Sequence, residues 1–297
     1  MKGIFKKLML SVMTLALGVT AMLGFTACSN KSKAVKIINS NLSQEQYGVL
    51  IAKGDTEMKA KVDEVLTKLT GEGLEVDGKT VTFDSLYQAE MAASDKGDFI
   101  SIGTVKKSST NRANELVVAT NAEFAPFEYV VGDSYGGIDM QVAKMIATGL
   151  GKELVILDME FDSVFEAVGT DADIGLAGIT INSEREEKND FSVPYYDTTQ
   201  QIAVLADDTT FDDCKTEEDV VAKLKSLKNV KAGAASAQTG YYYLTGNESF
   251  EFEGFSNIKT NSYSTIALAV KDLSNGKVKL VCGDKDVLAA AVKAINK

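Results

Sequence analysis

Strand-like apolar runs alternate with helix-length amphipathic stretches along most of the chain. Residues 116–120 form a continuous apolar run, whereas residues 57–69 place apolar side chains at helical spacing. Asp139 is predicted to cap a helix that ends near Leu150. The alternation continues through two blocks that meet near residue 205. Strands alternating with helices predict mostly parallel sheets, so we expect an α/β fold of two lobes with a cleft between them.

The N-terminus has the pattern of a secretion signal. Three lysines precede an apolar stretch over residues 8–25, and the segment 25–28, Phe-Thr-Ala-Cys, resembles a bacterial lipobox. Residues 1–27 are therefore expected to be a lipoprotein signal peptide, and Cys28 the lipidated N-terminus of the mature protein. An uncleaved membrane anchor and a plain secreted protein are the alternatives.

Composition excludes several classes of function. The 297 residues carry a net charge of -11, which disfavours binding to nucleic acid. The sequence contains no histidine, which removes Ser-His-Asp and Cys-His nucleophiles and histidine-ligated metals. Three cysteines are too few for a disulfide scaffold or a four-cysteine zinc site. We expect no catalytic residue, no metal and no cofactor.

One nucleotide-binding pattern occurs without its usual context. Residues 73–80 satisfy GxxxxGK[ST], the P-loop pattern. A P-loop follows a buried strand and opens a helix. Here a predicted amphipathic helix precedes the pattern, and Glu75 and Asp77 would face the phosphates. Nucleotide hydrolysis is therefore not expected.

Four segments carry a resemblance to one known family: 121–129, 137–143, 179–185 and 190–196. They resemble the amino-acid-binding lipoproteins of bacterial ABC importers, which have the type II periplasmic-binding-protein fold. That resemblance, which covers residues 115–297, implies a two-lobed α/β protein in which each lobe is a mostly parallel sheet flanked by helices.

A free amino acid carries a carboxylate and an ammonium group, and a selective site must neutralise both. A guanidinium can hold a carboxylate through two parallel hydrogen bonds, which makes Arg185 the candidate carboxylate ligand. The resemblance implies that Thr180 and Thr239 assist it. It also implies that Asp284 and the carbonyl group of Gly178 bind the ammonium.

The resemblance also implies which residues contact the ligand's side chain. Phe124 and Phe161 match positions that sandwich it, and Asn121 matches a position at its distal end. Ala177 completes the predicted site. Cationic ligands often have an acidic residue at the position of Asn121, so a neutral or polar amino acid is favoured.

The order of the segments suggests a circular permutation. Residues 35–73 resemble the closing segment of the family, although they precede the rest. Residues 74–110 would then be a linker created by the permutation, with one short helix near 83–91. Nearby termini make such a rearrangement tolerable. The alternative is an unrelated extension on a truncated domain. The expected division is lobe 1 from 44–73 and 111–204, and lobe 2 from 34–43 and 205–297.

These expectations describe a monomeric, membrane-tethered receptor. It would capture an amino acid by hinge closure on the outer face of the cytoplasmic membrane and present it to an ABC permease. Two alternatives remain open. One is an enzyme on the same fold, similar to the cyclohexadienyl dehydratases, with Glu123 or Glu128 as the nearest acid. The other is a ligand sensor that feeds a signalling receptor.

Overall fold

The computed structural model describes residues 33–297. The predicted signal peptide, residues 1–27, and the predicted lipidation site, Cys28, lie outside the described residues. Within residues 33–297, no helix combines the length and apolar character needed to cross a membrane.

Short strands and helices alternate through the described chain. The strands are β1 (Val35–Ile37), β2 (Glu45–Tyr47), β3 (Leu50–Ala52), β4 (Leu74–Val76), β5 (Lys79–Val81), β6 (Glu115–Thr120), β7 (Glu123–Phe124), β8 (Glu128–Val131), β9 (Ser134–Gly136), β10 (Glu153–Asp158), β11 (Ile174–Gly175), β12 (Asn189–Phe191), β13 (Tyr196–Thr198), β14 (Gln200–Leu205), β15 (Val230–Ala235), β16 (Ile258–Tyr263) and β17 (Leu280–Asp284). The helices are α1 (Thr56–Thr70), α2 (Phe83–Lys96), α3 (Ile138–Gly149), α4 (Phe161–Ala167), α5 (Ser183–Lys188), α6 (Glu217–Ser226), α7 (Thr239–Thr245), α8 (Ile266–Ser274) and α9 (Lys285–Asn296), with a 3-10 turn at Glu248–Phe250.

Two five-stranded sheets define the two lobes. Lobe 1 contains the sheet β10-β6-β11-β3-β12, in which β6 runs parallel to both of its neighbours. Lobe 2 contains the sheet β1-β14-β17-β15-β16, in which β15 runs parallel to both of its neighbours. The chain crosses between the lobes at β13 and β2, which pair with each other. We call β13 and β2 the hinge strands.

Residues 35–73 are part of both sheets. Strand β3 lies inside the lobe 1 sheet, antiparallel to β11 and β12, and β1 is an edge strand of the lobe 2 sheet. Helix α1 buries the apolar face that its spacing predicts and packs against α3. Val35 and Asn296 exchange two hydrogen bonds, of 2.9 and 2.8 Å, which brings the two ends of the described chain together.

Residues 74–110 have more structure than the sequence predicts. The P-loop pattern forms a hairpin, β4–β5, whose turn places Asp77 and Gly78 at φ 52° and 72°. Positive φ at two turn residues matches the twist of a β-hairpin. Helix α2 begins at a capping box formed by Thr82 and Ser85 and continues past the predicted residues 83–91. In its last turn Asp95 pairs with Lys293 of α9 at 2.6 Å, a contact that local periodicity does not reveal.

Candidate functional site

Side chains from both lobes line one small cavity in the cleft. Its volume is about 10 Å³, and Gln238 completes its lining. The structure brings together eight of the nine residues that the sequence predicts for the site. They are Phe124, Phe161, Ala177, Gly178, Thr180, Arg185, Thr239 and Asp284.

The ninth residue, Asn121, does not line this cavity. It is buried at the end of β6, and its Nδ2 donates a hydrogen bond of 2.9 Å to the carbonyl of Met159. In this conformation the Asn121 amide fixes the neighbouring loop of lobe 1.

Arg185 is held near the start of α5. The side chain of Asn182 caps that helix by accepting a hydrogen bond from the backbone N–H of Arg185. The guanidinium donates to the carbonyl of Thr180 at 2.6 Å and, across the cleft, to the carbonyl of Ala237 at 3.3 Å. Burial of the guanidinium lowers the pKa of Arg185 to about 10, so the group remains charged at neutral pH.

Aromatic rings enclose the Arg185 guanidinium. Phe165 lies 5.1 Å from it, and Phe161 and Phe250 each lie at 5.5 Å. Phe250 comes from lobe 2 and stacks on Tyr242. Rings at these distances attract a cation through their quadrupoles and exclude water from it. The three rings therefore hold the guanidinium of Arg185, which lines the cavity, in place between the lobes.

Asp284 faces Arg185 from lobe 2. It ends β17, precedes α9 and is buried. Its Oδ1 accepts a hydrogen bond of 2.8 Å from Nε2 of Gln200. Burial, and then the charge of Glu45, raise the pKa of Asp284 to about 7.

Two threonines connect the walls of the cavity. Oγ1 of Thr239, from lobe 2, donates to Oγ1 of Thr180, from lobe 1, at 3.1 Å. The Thr180 hydroxyl in turn donates to Oε2 of Glu45 at 3.1 Å. The hydroxyls of both lobes are therefore within hydrogen-bond reach of the same cavity.

Glycine is required at position 178. Gly178 has φ 54°, and a Cβ there would lie 2.5 Å from the ring of Phe124. Its N–H donates to Asp139 at 2.8 Å, and the hydroxyl of Tyr195 also donates to that carboxylate. The prediction that Asp139 caps α3 is wrong, because Gly137 is the N-cap and burial turns the carboxylate towards Gly178. Burial raises the pKa of Asp139 to about 7.

Glu128 lies behind the site and does not line the cavity. It is fully buried, and neither of its carboxylate oxygens has a hydrogen-bond partner among the described residues. Burial, followed by the charge of Asp139, raises the pKa of Glu128 well above its usual range. Glu128 is therefore a buried acid of lobe 1 that stands behind the cavity lining.

Sequence reasoning missed Glu45 and Gln200. Both are buried on or beside the hinge strands, and each contacts a predicted site residue. Glu45 stands two residues before Tyr47 in a segment assigned only a topological role, and Gln200 follows the motif that ends at Tyr196. No local pattern marks either residue, because their partners are distant in the sequence.

The cavity can neutralise a small ligand that carries both charges. It is lined by one guanidinium, one carboxylate and two hydroxyls, and the two hydroxyls are hydrogen-bonded to each other at 3.1 Å. Among the described residues, no cluster of three or more Cys, Asp or Glu side chains is arranged to hold a metal ion. The described cysteines, Cys214 and Cys282, are free thiols.

Sequence comparison matches residues 116–297 to the bacterial extracellular solute-binding proteins, family 3. The probable histidine-binding protein of Neisseria gonorrhoeae is 32% identical over 181 residues, which is 59% of this chain and 61% of that protein. The ABC transporter arginine-binding protein 1 of Escherichia coli is 26% identical over 178 residues, 59% of this chain and 65% of that protein. A shorter match links the chain to the cyclohexadienyl dehydratase of Pseudomonas aeruginosa, at 32% identity over 99 residues, 32% of this chain and 37% of that enzyme.

The structural comparison gives the same family of folds. The ancestral amino-acid-binding protein AncCDT-1, described as a precursor of cyclohexadienyl dehydratase, superposes with a TM-score of 0.52 at 27% identity. The match covers 62% of this chain and 75% of that one. The two-lobed α/β fold predicted from the sequence is confirmed. The chain spans less than two thirds of the length of each of these three sequence relatives. On the family match and the shared fold, the chain belongs to the bacterial extracellular solute-binding proteins, family 3.

Proposed function

We propose that this protein captures a free amino acid between its two lobes. One observation carries the proposal: the lobes face each other across a cavity with the guanidinium of Arg185 on one wall and the carboxylate of Asp284 on the other. An amino-acid zwitterion carries its ammonium and its carboxylate on the same carbon atom, so the two groups match its head. Thr180 and Thr239 add hydroxyl donors beside the guanidinium.

Hinge closure follows from the position of these groups. A ligand bound to both lobes favours the closed state over the open one, because only the closed state offers all of its contacts. We propose that the closed form is presented to an ABC permease. The naming of one relative as an ABC transporter binding protein supports this role. A signalling receptor could read the same closure.

We also propose that a lipid on Cys28 holds the protein on the outer face of the cytoplasmic membrane. The lipobox-like segment and the family description as extracellular proteins support this location. Metabolic labelling with a palmitate analogue tests it: the wild type should incorporate the label, and Cys28→Ala should not. Labelling of Cys28→Ala would contradict the proposal.

The ligand class is proposed from residue type. The family resemblance puts Asn121 where relatives that bind cationic amino acids often have an acidic residue, which favours a neutral or polar ligand. In the structure Asn121 lies beside the cavity rather than in its lining, with its amide bonded to Met159. Relatives named for histidine and arginine make the cationic amino acids the necessary comparison.

Thermal unfolding of residues 30–297 against the twenty amino acids and cystine tests the binding function. A ligand that binds the folded state raises the midpoint once its concentration exceeds Kd. We expect a rise with one or a few amino acids. Arg185→Ala should abolish it, because losing the partner of a buried charge weakens binding by about 100-fold or more.

Arg112→Ala is the matched control. Arg112 is the only other arginine of the sequence, and it pairs with Asp173 at the surface. It should leave the ligand response unchanged. A cooperatively folding wild type whose midpoint responds to none of these ligands would refute capture of an amino acid.

Neither candidate acid of the enzyme alternative lines the cavity, and the acid that does line it, Asp284, is proposed to bind the ammonium. General acid catalysis requires an acid within hydrogen-bond reach of the leaving group. Glu128 does not line the cavity, and Glu123 is exposed on β7. We therefore propose binding without chemistry, although one relative is a dehydratase.

We further propose that the chain is a circular permutation of the family fold. The family match begins at residue 116, yet β3, from residues 35–73, occupies an interior position in the lobe 1 sheet. The hydrogen bonds between Val35 and Asn296 place the ends of the described chain side by side. Adjacent termini allow the order of segments to change without disturbing the packing.

A reordered chain tests the permutation. It would begin with residues 111–297, continue through a short Gly-Ser linker into residues 33–73, and omit residues 74–110. If residues 35–73 are the displaced closing segment, this chain should unfold cooperatively and show the ligand response of the wild type. The matched control, residues 111–297 alone, should not fold, because it lacks β3. A reordered chain as unfolded as this control would contradict the permutation.

A further inference from the structure

A hydrogen-bonded circuit runs behind the cavity through two residues that do not line it. Nε2 of Gln200 donates to Glu45 at 3.1 Å and to Asp284 at 2.8 Å. Glu45 also accepts the hydroxyl of Thr180, which accepts that of Thr239. A primary amide has two N–H donors, so Gln200 satisfies one carboxylate with each.

Every side chain of the circuit is more than 90% buried, and Gln200 is entirely so. Buried polar networks are energetically sensitive, because a group that loses its partner inside the protein cannot regain it from water. The circuit therefore restrains the Asp284 carboxylate and the Thr180 hydroxyl, two groups assigned above to the amino-acid head.

Glu45 makes these contacts from the hinge. It opens β2 and pairs with Thr198 of β13. From there it contacts lobe 1 directly, through Thr180, and lobe 2 through Gln200 and Asp284. Separation of the lobes would pull at least one of these contacts apart, so closure and arrangement of the site are linked at one side chain.

We propose that Glu45 is a positioning residue of the amino-acid site, which acts through Gln200 on Asp284 and through Thr180 on the opposite wall. The proposal rests on the proposed capture of an amino acid and goes beyond it. Glu45 sets how strongly, and over which pH range, Asp284 binds an ammonium group.

Because Glu45 is charged, its influence on Asp284 should appear in the pH dependence of ligand affinity. Asp284 must be ionised to pair with an ammonium, and burial followed by Glu45 raises its pKa to about 7. The other groups that face Asp284 are Tyr47 on β2, Arg185 on α5, Cys282 on β17 and Glu128 on β8. Affinity should therefore fall as the pH drops through 7. Removal of the Glu45 charge should move this fall to lower pH.

Calorimetric titration from pH 5 to pH 9 tests the proposal, with L-glutamine and L-arginine as probes. Glu45→Gln keeps the size of the side chain and removes its charge. We expect the midpoint of its affinity profile about one pH unit below that of the wild type. Glu45→Ala leaves the Thr180 hydroxyl and one N–H of the Gln200 amide without an acceptor and should weaken binding about tenfold or more across the whole range.

Glu57→Gln is the matched control, since it removes an exposed glutamate charge from α1. A structural role alone would change affinity in Glu45→Gln by the same factor at every pH. A Glu45→Gln midpoint that coincides with that of the wild type and of the control would overturn the proposal.

A second readout works without any ligand. Carboxyl ¹³C NMR of Asp284 should show a lower pKa in Glu45→Gln than in the wild type. An unchanged titration overturns the role of Glu45 even if both proteins bind amino acids. If the NMR shift appears and the wild type binds neither these probes nor any amino acid of the thermal panel, the proposed function fails while the coupling of Glu45 to Asp284 stands.

Discussion

Residues 35–73 and residues 74–110 are neighbours in the sequence with opposite structural roles. The first segment supplies an interior strand to the lobe 1 sheet, an edge strand to the lobe 2 sheet and one hinge strand. The second forms its own hairpin and a helix, and its described residues add no strand to either five-stranded sheet. The first segment thus completes the fold, whereas the second is attached to its surface.

The second segment nevertheless bridges the lobes. On α2, Glu90 is buried and contacts Tyr129 and Gln141 of lobe 1. From the same helix, Tyr87 donates to Asp286 of lobe 2 at 3.3 Å. A segment outside both sheets therefore still contacts both lobes. We expect the sheet strands of the first segment to contribute more to folding than the helix contacts of the second.

The largest effect should come from the first segment. Ile51 of β3 is fully buried between β11 and β12. Ile51→Ala leaves a cavity in the sheet packing and should lower the free energy of unfolding by about 2–5 kcal/mol. Urea unfolding measures it. Val76→Ala, in the half-buried β4, should lower the free energy of unfolding by about 1 kcal/mol or less. Equal losses in the two variants would remove the distinction between the segments.

A smaller, pH-dependent effect is expected at Glu90. Burial raises its pKa, so its contribution to stability is present at low pH and is lost as the pH rises through the folded-state pKa. The stability of Glu90→Gln relative to the wild type should therefore increase as the pH rises from 4 to 8. Thermal melts at both pH values measure the difference. The exposed control Glu72→Gln should show no such trend. A Glu90→Gln variant whose stability relative to the wild type is the same at both pH values would contradict the prediction.

Tyr87 tests the contact of α2 with lobe 2. Tyr87→Phe removes the hydrogen bond to Asp286 and keeps the ring stacked on Tyr196, 5.5 Å away. The free energy of unfolding should fall by about 0.5–1.5 kcal/mol. Tyr87→Ala also loses the stacking and should cost more. If both substitutions cost the same, the ring contributes nothing and α2 is attached by the hydrogen bond alone.

The smallest effect is expected at the end of α2. Lys293 of α9 pairs with Asp95 at 2.6 Å, and both side chains are exposed. Lys293→Ala should lower the free energy of unfolding by about 0–1 kcal/mol. This difference from the wild type should vanish in 1 M salt, because solvent and ions screen exposed ion pairs. Urea titrations at low and high salt measure it. A salt-independent loss would mean that packing, rather than charge, joins the helices here.

Much of the site could be predicted because its residues lie in short motifs. Thr180 and Arg185 are five positions apart, and Asp284 follows an apolar strand. Such local patterns survive in a linear sequence, and eight of the nine chosen residues line one cavity. Asn121 was predicted from its position in a family motif. In the structure its amide donates to the carbonyl of Met159 instead.

The rest depended on contacts between distant segments. Glu45 meets Gln200 and Thr180 more than 130 positions away, so no periodicity reveals the circuit. The unpredicted last turn of α2 meets its partner 198 positions away, through the pair of Asp95 and Lys293. Burial also decided the role of Asp139, which the sequence assigned to a helix cap and the structure assigns to Gly178.

The sequence by itself determined the alternation of strands and helices, because hydrophobic periodicity and turn chemistry act over a few positions. The resemblance of its short motifs to a known family pointed to Arg185 and Asp284. Only the tertiary structure decided that β3 lies inside the lobe 1 sheet, that Val35 meets Asn296, and that Glu45 stands behind Asp284. Those relations arise when burial brings together segments that the chain keeps far apart, and burial is a property of the whole fold.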